Sequence, residues 1–169
     1  GIFRLRYSPD GIFQPDFSYA LAPGFEPEKV VVRLEEREGE YLLDSGALQV
    51  VVSKMDLKLK FYDQDDRVLC EDAGGFSAKR TIMKGWCTLQ MEKKCHKKEV
   101  FMGLGDKGCG TNLYGKKFEN WCTDAYAFGR DTDPLYRSVP FYYALSQGIA
   151  YGIFLDNSFK SHFDFDSEG

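Results

Sequence analysis

The chain has 169 residues, a formal charge of −4, 43% hydrophobic residues and 15% aromatic residues. That length suits one domain with a real core, taken here as residues 1–169, and the apolar content excludes disorder for the bulk of it. The acidic balance excludes the clustered basic face that a phosphate backbone requires, so nucleic acid is not an expected partner. In chain order, Phe3-Arg4-Leu5-Arg6-Tyr7 alternates apolar and polar, the mark of a half-buried strand. Val30 to Leu34 and Tyr41-Leu42-Leu43 flank Glu38-Gly39, which predicts a hairpin, and Leu48 to Val52 is a β-branched run. Met55 to Phe61 alternates again. Asp63-Gln64-Asp65-Asp66 separates two apolar segments, Gly74-Gly75 punctuates another pair, and Trp86 to Met91 alternates. Lys93, Lys94, Lys97 and Lys98 around Cys95 and His96 read as a solvated turn between strands. Val139 to Leu145 and Ile149 to Leu155, joined by Ser146-Gln147-Gly148, form a compact hairpin signature. No long segment keeps a helical period. The expected fold is therefore all-β, an antiparallel β-sandwich.

The first 100 residues show strands and no cluster of chemistry. Between Val100 and Ser138 the texture changes, with Gly103, Gly105, Gly108, Gly110, Gly115 and Gly129 set among polar and aromatic residues. A glycine-rich stretch of that length on a sheet scaffold is where binding residues are expected. Within it, Asp106 and Lys107 are expected to pair across a turn, Asp131 and Asp133 to cap it, and Pro134 to fix the backbone that follows.

The five cysteines, Cys70, Cys87, Cys95, Cys109 and Cys122, are an odd number without a CxxC pair, so buried free thiols are expected rather than a disulfide framework. His96 and His162 are far apart, and no metal or cofactor is expected. No stretch reaches the roughly 20 apolar residues of a membrane helix, and no membrane contact is expected. The chain opens at Gly1 inside a strand-like pattern, so sequence upstream is expected.

Several motifs, in order and spacing, carry a family resemblance. They are Gly103-Leu104-Gly105-Asp106-Lys107, Gly115, Trp121-Cys122-Thr123-Asp124-Ala125 and Asp131-Thr132-Asp133-Pro134-Leu135-Tyr136. Ser138-Val139-Pro140-Phe141-Tyr142, Gly148 to Ser158 and Phe163-Asp164-Phe165 continue the series. Together they resemble the N-terminal domain of glycoside hydrolase family 31, the α-glucosidase family. The resemblance implies a sandwich like galactose mutarotase, here lacking its last strands, followed in a full enzyme by a (β/α)₈ barrel. Retaining glycosidases use two carboxyl groups about 5 Å apart. In this family both lie in the barrel, which needs roughly 250 residues of strand and helix units not present here. No catalytic residue is thus expected in this chain, which alone should not hydrolyse sugar.

The resemblance further implies that a loop of this domain reaches the barrel mouth and supplies an aspartate to substrate hydroxyls, a position that Asp124 matches. An ionised carboxylate accepts hydrogen bonds only, which suits sugar hydroxyls, and a loop-structural role for Asp124, such as an Asx turn, is the alternative. Trp121 reads either as a core anchor or as an apolar sugar platform. The family pattern has Asn where Cys122 stands and Gly where Asp166 stands. Cys109 and Cys122 share one loop, where a disulfide is conceivable. The implied partners are the catalytic barrel of the same chain and α-linked glucosides or oligosaccharides. A free-standing carbohydrate-binding sandwich is the alternative. Mutarotase-type catalysis would need a placed acid and base, with only His96 and His162 on offer. An unpaired edge left at the end of the chain is expected to favour an edge-strand dimer.

Overall fold

A computed structural model describes residues 1–8, 10–81 and 86–168, without a helix among them. The chain forms two compact units, residues 1–16 with 26–94 and residues 17–25 with 95–169.

In the first unit six strands pair antiparallel in chain order: β1 (Arg33–Glu36), β2 (Glu40–Asp44), β3 (Leu48–Ser53), β4 (Leu59–Asp63), β5 (Val68–Thr81) and β6 (Trp86–Lys93). Short polar turns set this meander. The Asp63 carboxylate accepts the backbone N–H groups of Asp65 and Arg67, both at 2.9 Å, and pairs with the Arg67 guanidinium. Such Asx geometry closes the link between β4 and β5 without help from elsewhere. Asp72, fully buried on β5, accepts the Leu59 N–H at 2.8 Å and pairs with Lys93 on β6.

Val30–Val32 lie outside β1, which begins at Arg33, and three further predicted features of this unit differ from the structure. Residues 3–7 alternate as expected but join no ladder; Phe3 packs edge-on to Phe61 at 5.6 Å and Tyr7 stacks on Phe76 at 5.0 Å. Their periodicity reflects packing against the sheet, a demand that an extended segment meets with or without hydrogen-bonded partners. Residues 54–56 are a turn, with Leu57 at φ 56° donating its N–H to Ser53 O, so β4 begins only at Leu59. Gly74-Gly75 is not a turn either. It lies within β5 at two register shifts, and a Cβ at Gly75 would stand 2.5 Å from Asp56 O. Glycine here serves a bulge and a close backbone approach.

The second unit contains β7 (Val100–Gly105), β8 (Lys117–Asn120), β9 (Ser138–Ser146), β10 (Ile149–Phe154) and β11 (Ser161–Asp164). One sheet has the order β10-β9-β7, the other β11-β8, all pairs antiparallel. The β9–β10 hairpin turns at Gln147-Gly148, both at positive φ, as the sequence predicts. Phe101, Leu104, Leu113, Phe118, Tyr142, Ala144 and Phe165 form the core that the two sheets share. Its rings interlock: Phe101 lies 4.7 Å from Phe165, and Tyr142 meets Phe165 edge-on at 5.1 Å. Such pairs add roughly 0.5–1.5 kcal/mol beyond area burial. The fold is an all-β antiparallel sandwich.

The Gly103-Leu104-Gly105 motif is explained by β9. A Cβ at Gly103 would meet Phe141 O at 2.5 Å, and one at Gly105 would collide with Arg137 O, both from positive φ. Only glycine permits this approach, which seats Leu104, fully buried, in the core. Gly105→Ala is expected to lose about 2–4 kcal/mol through left-handed strain and overlap with β9, read as a lower urea midpoint at unchanged m-value.

Candidate functional site

The segment between β7 and β9, residues 106–137, is held from several sides within the second unit. Asp106 accepts both the Nε–H (2.9 Å) and an NH2 donor (3.0 Å) of Arg137, bracing the two ends of the segment. This fork holds the Asp106 carboxyl below its usual range. Lys107 extends inward, its side chain 4% exposed, and its Nζ donates to Asp133 Oδ1 at 2.6 Å and Glu119 O at 2.9 Å. The second oxygen of Asp133 accepts the Glu119 N–H at 2.5 Å. A carboxylate shared between a cation and a strand amide ties the Asp133-Pro134 turn to β8.

This arrangement corrects the expected pairing. Asp106 and Lys107 do not pair with each other but with Arg137 and Asp133, because neighbours on an extended chain point to opposite sides. Asp131 pairs with Lys116 at 3.2 Å, and its N–H donates to Gly108 O at 2.9 Å. Nearby, Gly108, Lys116, Phe118, Asp131 and Thr132 line an open cleft of about 400 Å³. Asp166, where the family pattern has Gly, sits at φ 63° and accepts the Tyr114 hydroxyl at 2.7 Å. A positive φ is what glycine would serve there, and Asp tolerates it better than most residues.

Past β8 the chain runs without regular secondary structure through Trp121 to Ala125. Thr123 donates its N–H to Leu135 O at 2.9 Å, and the Tyr136 hydroxyl donates to Ala125 O at 2.9 Å. Leu135 itself is buried. Asp124 lies between these two anchors, exposed, with no hydrogen-bond or ion-pair partner among the described residues. Trp121 is 47% exposed, with Lys160 Nζ 5.7 Å from its ring, and so is not a core anchor. Tyr126 is 94% exposed and Phe128 meets Tyr136 edge-on at 5.9 Å. The arrangement presents one carboxylate and several aromatic faces from a fixed backbone.

The expectation of buried thiols holds for Cys70 alone: Cys87, Cys95 and Cys122 are exposed, and Cys109 is half-buried. All five are free, so the Cys109–Cys122 disulfide is not formed. Although the residue is exposed, partial desolvation of its sulfur, with the Glu99 and Asp166 carboxylates, pushes the Cys95 thiol up to about 11. His162 is exposed, its Nδ1 4.0 Å from Glu119, and His96 lies in the lysine-rich turn. Among the described residues no group of three or more His, Cys, Asp or Glu is arranged to hold a metal ion.

The Lys107–Asp133 tie was not found from sequence. Its residues are 26 positions apart, and only the lysine beside the glycine motif and the Asp-Pro pair hinted at constrained roles.

The fold is an antiparallel β-sandwich that carries a clamped loop between β7 and β9. Comparison with known proteins gives the family. Residues 1–164 match the glycosyl hydrolase 31 N-terminal galactose mutarotase-like domain. Alpha-glucosidase 2 of Bacillus thermoamyloliquefaciens is 33% identical over 165 residues, which is 97% of this chain and 20% of that protein. An alpha-glucosidase of Saccharolobus solfataricus is 32% identical over 84 residues, 50% of this chain and 12% of that one. Among solved structures, a Flavobacterium johnsoniae GH31 dextranase complexed with isomaltotriose aligns with a TM-score of 0.79 at 29% identity, covering 95% of this chain and 19% of that one. A GH31 alpha-xylosidase from Xanthomonas citri aligns at TM-score 0.67 and 17% identity, over 91% of this chain and 16% of its own, a likeness of fold. The chain belongs to the glycoside hydrolase 31 N-terminal domain family, and it spans about a fifth of the length of the first of these relatives.

Two outcomes are expected from this geometry. Asp133→Ala strands the buried Lys107 ammonium and should cost about 3–5 kcal/mol, while Lys107→Met combined with Asp133→Asn should recover part of the loss in urea melts. At pH 8, iodoacetamide should alkylate Cys95 about tenfold or more slowly than an ordinary thiol, since little of it is thiolate; peptide mass spectrometry reads the ratio.

Proposed function

We propose that residues 1–169 are a single N-terminal domain of a retaining, exo-acting α-glucosidase, packing on a catalytic (β/α)₈ barrel that lies outside this sequence. In this reading the 121–125 segment reaches the substrate mouth and Asp124 accepts hydrogen bonds from sugar hydroxyls. The observation that carries it is the placement of Asp124. It is an exposed carboxylate on a backbone pinned on one side at Thr123 and on the other at Ala125, with no partner among the described residues that would consume its lone pairs. A pinned acceptor loses little entropy on binding, which is what a specificity contact needs. Trp121, half-exposed beside it, offers an apolar face to a pyranose ring.

The relatives support the substrate class. Two are named alpha-glucosidases, and a structural neighbour is a dextranase complexed with isomaltotriose. The chain on its own binds or hydrolyses no glucoside in this proposal, because the acid and nucleophile belong to the barrel and Asp124 contributes only beside it. No cofactor or metal takes part.

The test uses the full-length enzyme. Asp124→Ala should lower kcat/KM on maltose by about 10- to 100-fold, the worth of one or two charge-assisted hydrogen bonds, with the melting temperature unchanged within a degree or so, since the side chain holds no part of the fold. Unaltered kinetics would refute the role of Asp124. Calorimetric binding of maltose by the isolated chain would favour the free-standing carbohydrate-binding sandwich instead.

A further inference from the structure

The ribbon of β8 and β11 turns one face to the core, and two cross-strand pairs lie on that face. Phe118 stands opposite Phe163, and Asn120 opposite Ser161. Burial follows the pairing: Phe118 and Asn120 are buried and Phe163 and Ser161 half-buried, while Lys117, His162 and Asp164 on the other face are exposed. Phe118 is part of the aromatic core and Phe163 packs against it. By the alternation of the strand an apolar residue belongs at position 120 as well. The sequence places a primary amide there instead, 4% exposed.

Neither Nδ2 nor Oδ1 of Asn120 has a hydrogen-bond partner among the described residues, and both atoms are shut off from solvent. The hydroxyl of Ser161, its neighbour across the ladder, is also without a hydrogen bond among the described residues. Residues directly opposite in an antiparallel pair have Cβ atoms about 4.5–5.5 Å apart, yet the two polar groups do not bond to each other. The charged groups close by are engaged elsewhere. Lys107 Nζ donates to Asp133 and to Glu119 O, and the Glu119 carboxylate, on the outer face, accepts from Lys160. A buried amide left unmet costs more than an ordinary hydrogen bond gains, so folded proteins supply a partner from the chain or from ordered water.

We propose that Asn120 and Ser161 hold an ordered internal water that bridges the amide to the hydroxyl. The hydrogen-bonding capacities match. The amide brings two donors and an acceptor, the hydroxyl one donor and acceptor lone pairs, and water can give and take with both. Buried waters settle where at least two polar groups are left unmet by the fold, which is the arrangement of this pair. The face offers no ionised side chain, only Phe118, Asn120, Ser161 and Phe163, so its guest is neutral rather than an ion. Asn120 is the last residue of β8, and Trp121 follows it. The water therefore fixes the strand end from which the segment bearing Asp124 departs, and the inference stands whether or not that segment meets a sugar.

High-resolution diffraction from crystals of the full-length protein tests this. The expected result is one spherical density peak within about 2.7–3.2 Å of both the Asn120 amide and Ser161 Oγ, as well ordered as the side chains around it. In crystals of Ser161→Ala the peak should be lost while β8 and β11 keep their pairing. Four results would each overturn the proposal: no peak in the wild type, a direct bond between Asn120 and Ser161, an Asn120 amide bonded to a protein group outside residues 1–169, or a peak unchanged in the variant. The wild-type density decides the matter by itself if the variant does not fold.

Discussion

The pairing of Lys107 with Asp133 organises the long segment between β7 and β9. A lysine side chain only 4% exposed is costly unless it is neutralised and hydrogen-bonded, and here it receives both a carboxylate and a strand carbonyl. The same carboxylate accepts the Glu119 N–H. One buried cation therefore couples the chain leaving β7, the strand β8 and the Asp133-Pro134 turn. From that turn, Leu135 and Tyr136 reach across to hold Thr123 and Ala125. Without the ion pair, the anchors on either side of Asp124 would rest on a loop of some thirty residues with ordinary loop freedom.

That loop is long, yet few of its backbone constraints come from regular structure. Glycines at 103 and 105 let β7 run against β9, and the fork from Arg137 to Asp106 closes the segment where β9 begins. The core supplies the platform. Phe118 on β8 and Phe165 after β11 pack with Phe101 and Tyr142 of the facing sheet, so the strand that accepts the Lys107 tie is itself fixed by apolar burial. Polar anchoring of the loop thus depends on hydrophobic packing beneath it, and its outer surface is left to present a carboxylate and aromatic rings.

The β10-β9-β7 sheet shows the other side of this economy. Apolar residues on both of its faces give the chain more hydrophobic surface than its own core uses. Strands apolar on both faces are ordinarily covered on both, and this chain spans about a fifth of the length of the first relative it matches.

Sequence alone determined the strand-rich character, the β9–β10 hairpin and the family, because period-two alternation, turn chemistry and an ordered set of motifs are local properties of the chain. It also placed the candidate residues Asp124 and Trp121 on one loop. Tertiary structure decided what alternation meant in each case. Residues 3–7 pack without pairing, Met55 to Leu57 turn rather than extend, and Gly74-Gly75 bulges inside a strand, since neighbours far along the chain supply or withhold the partners. It decided equally that Lys107 pairs with Asp133 and not with Asp106, and that Trp121 is exposed. Ion pairs and burial are set by distances in space between residues remote in sequence, and no local pattern encodes them.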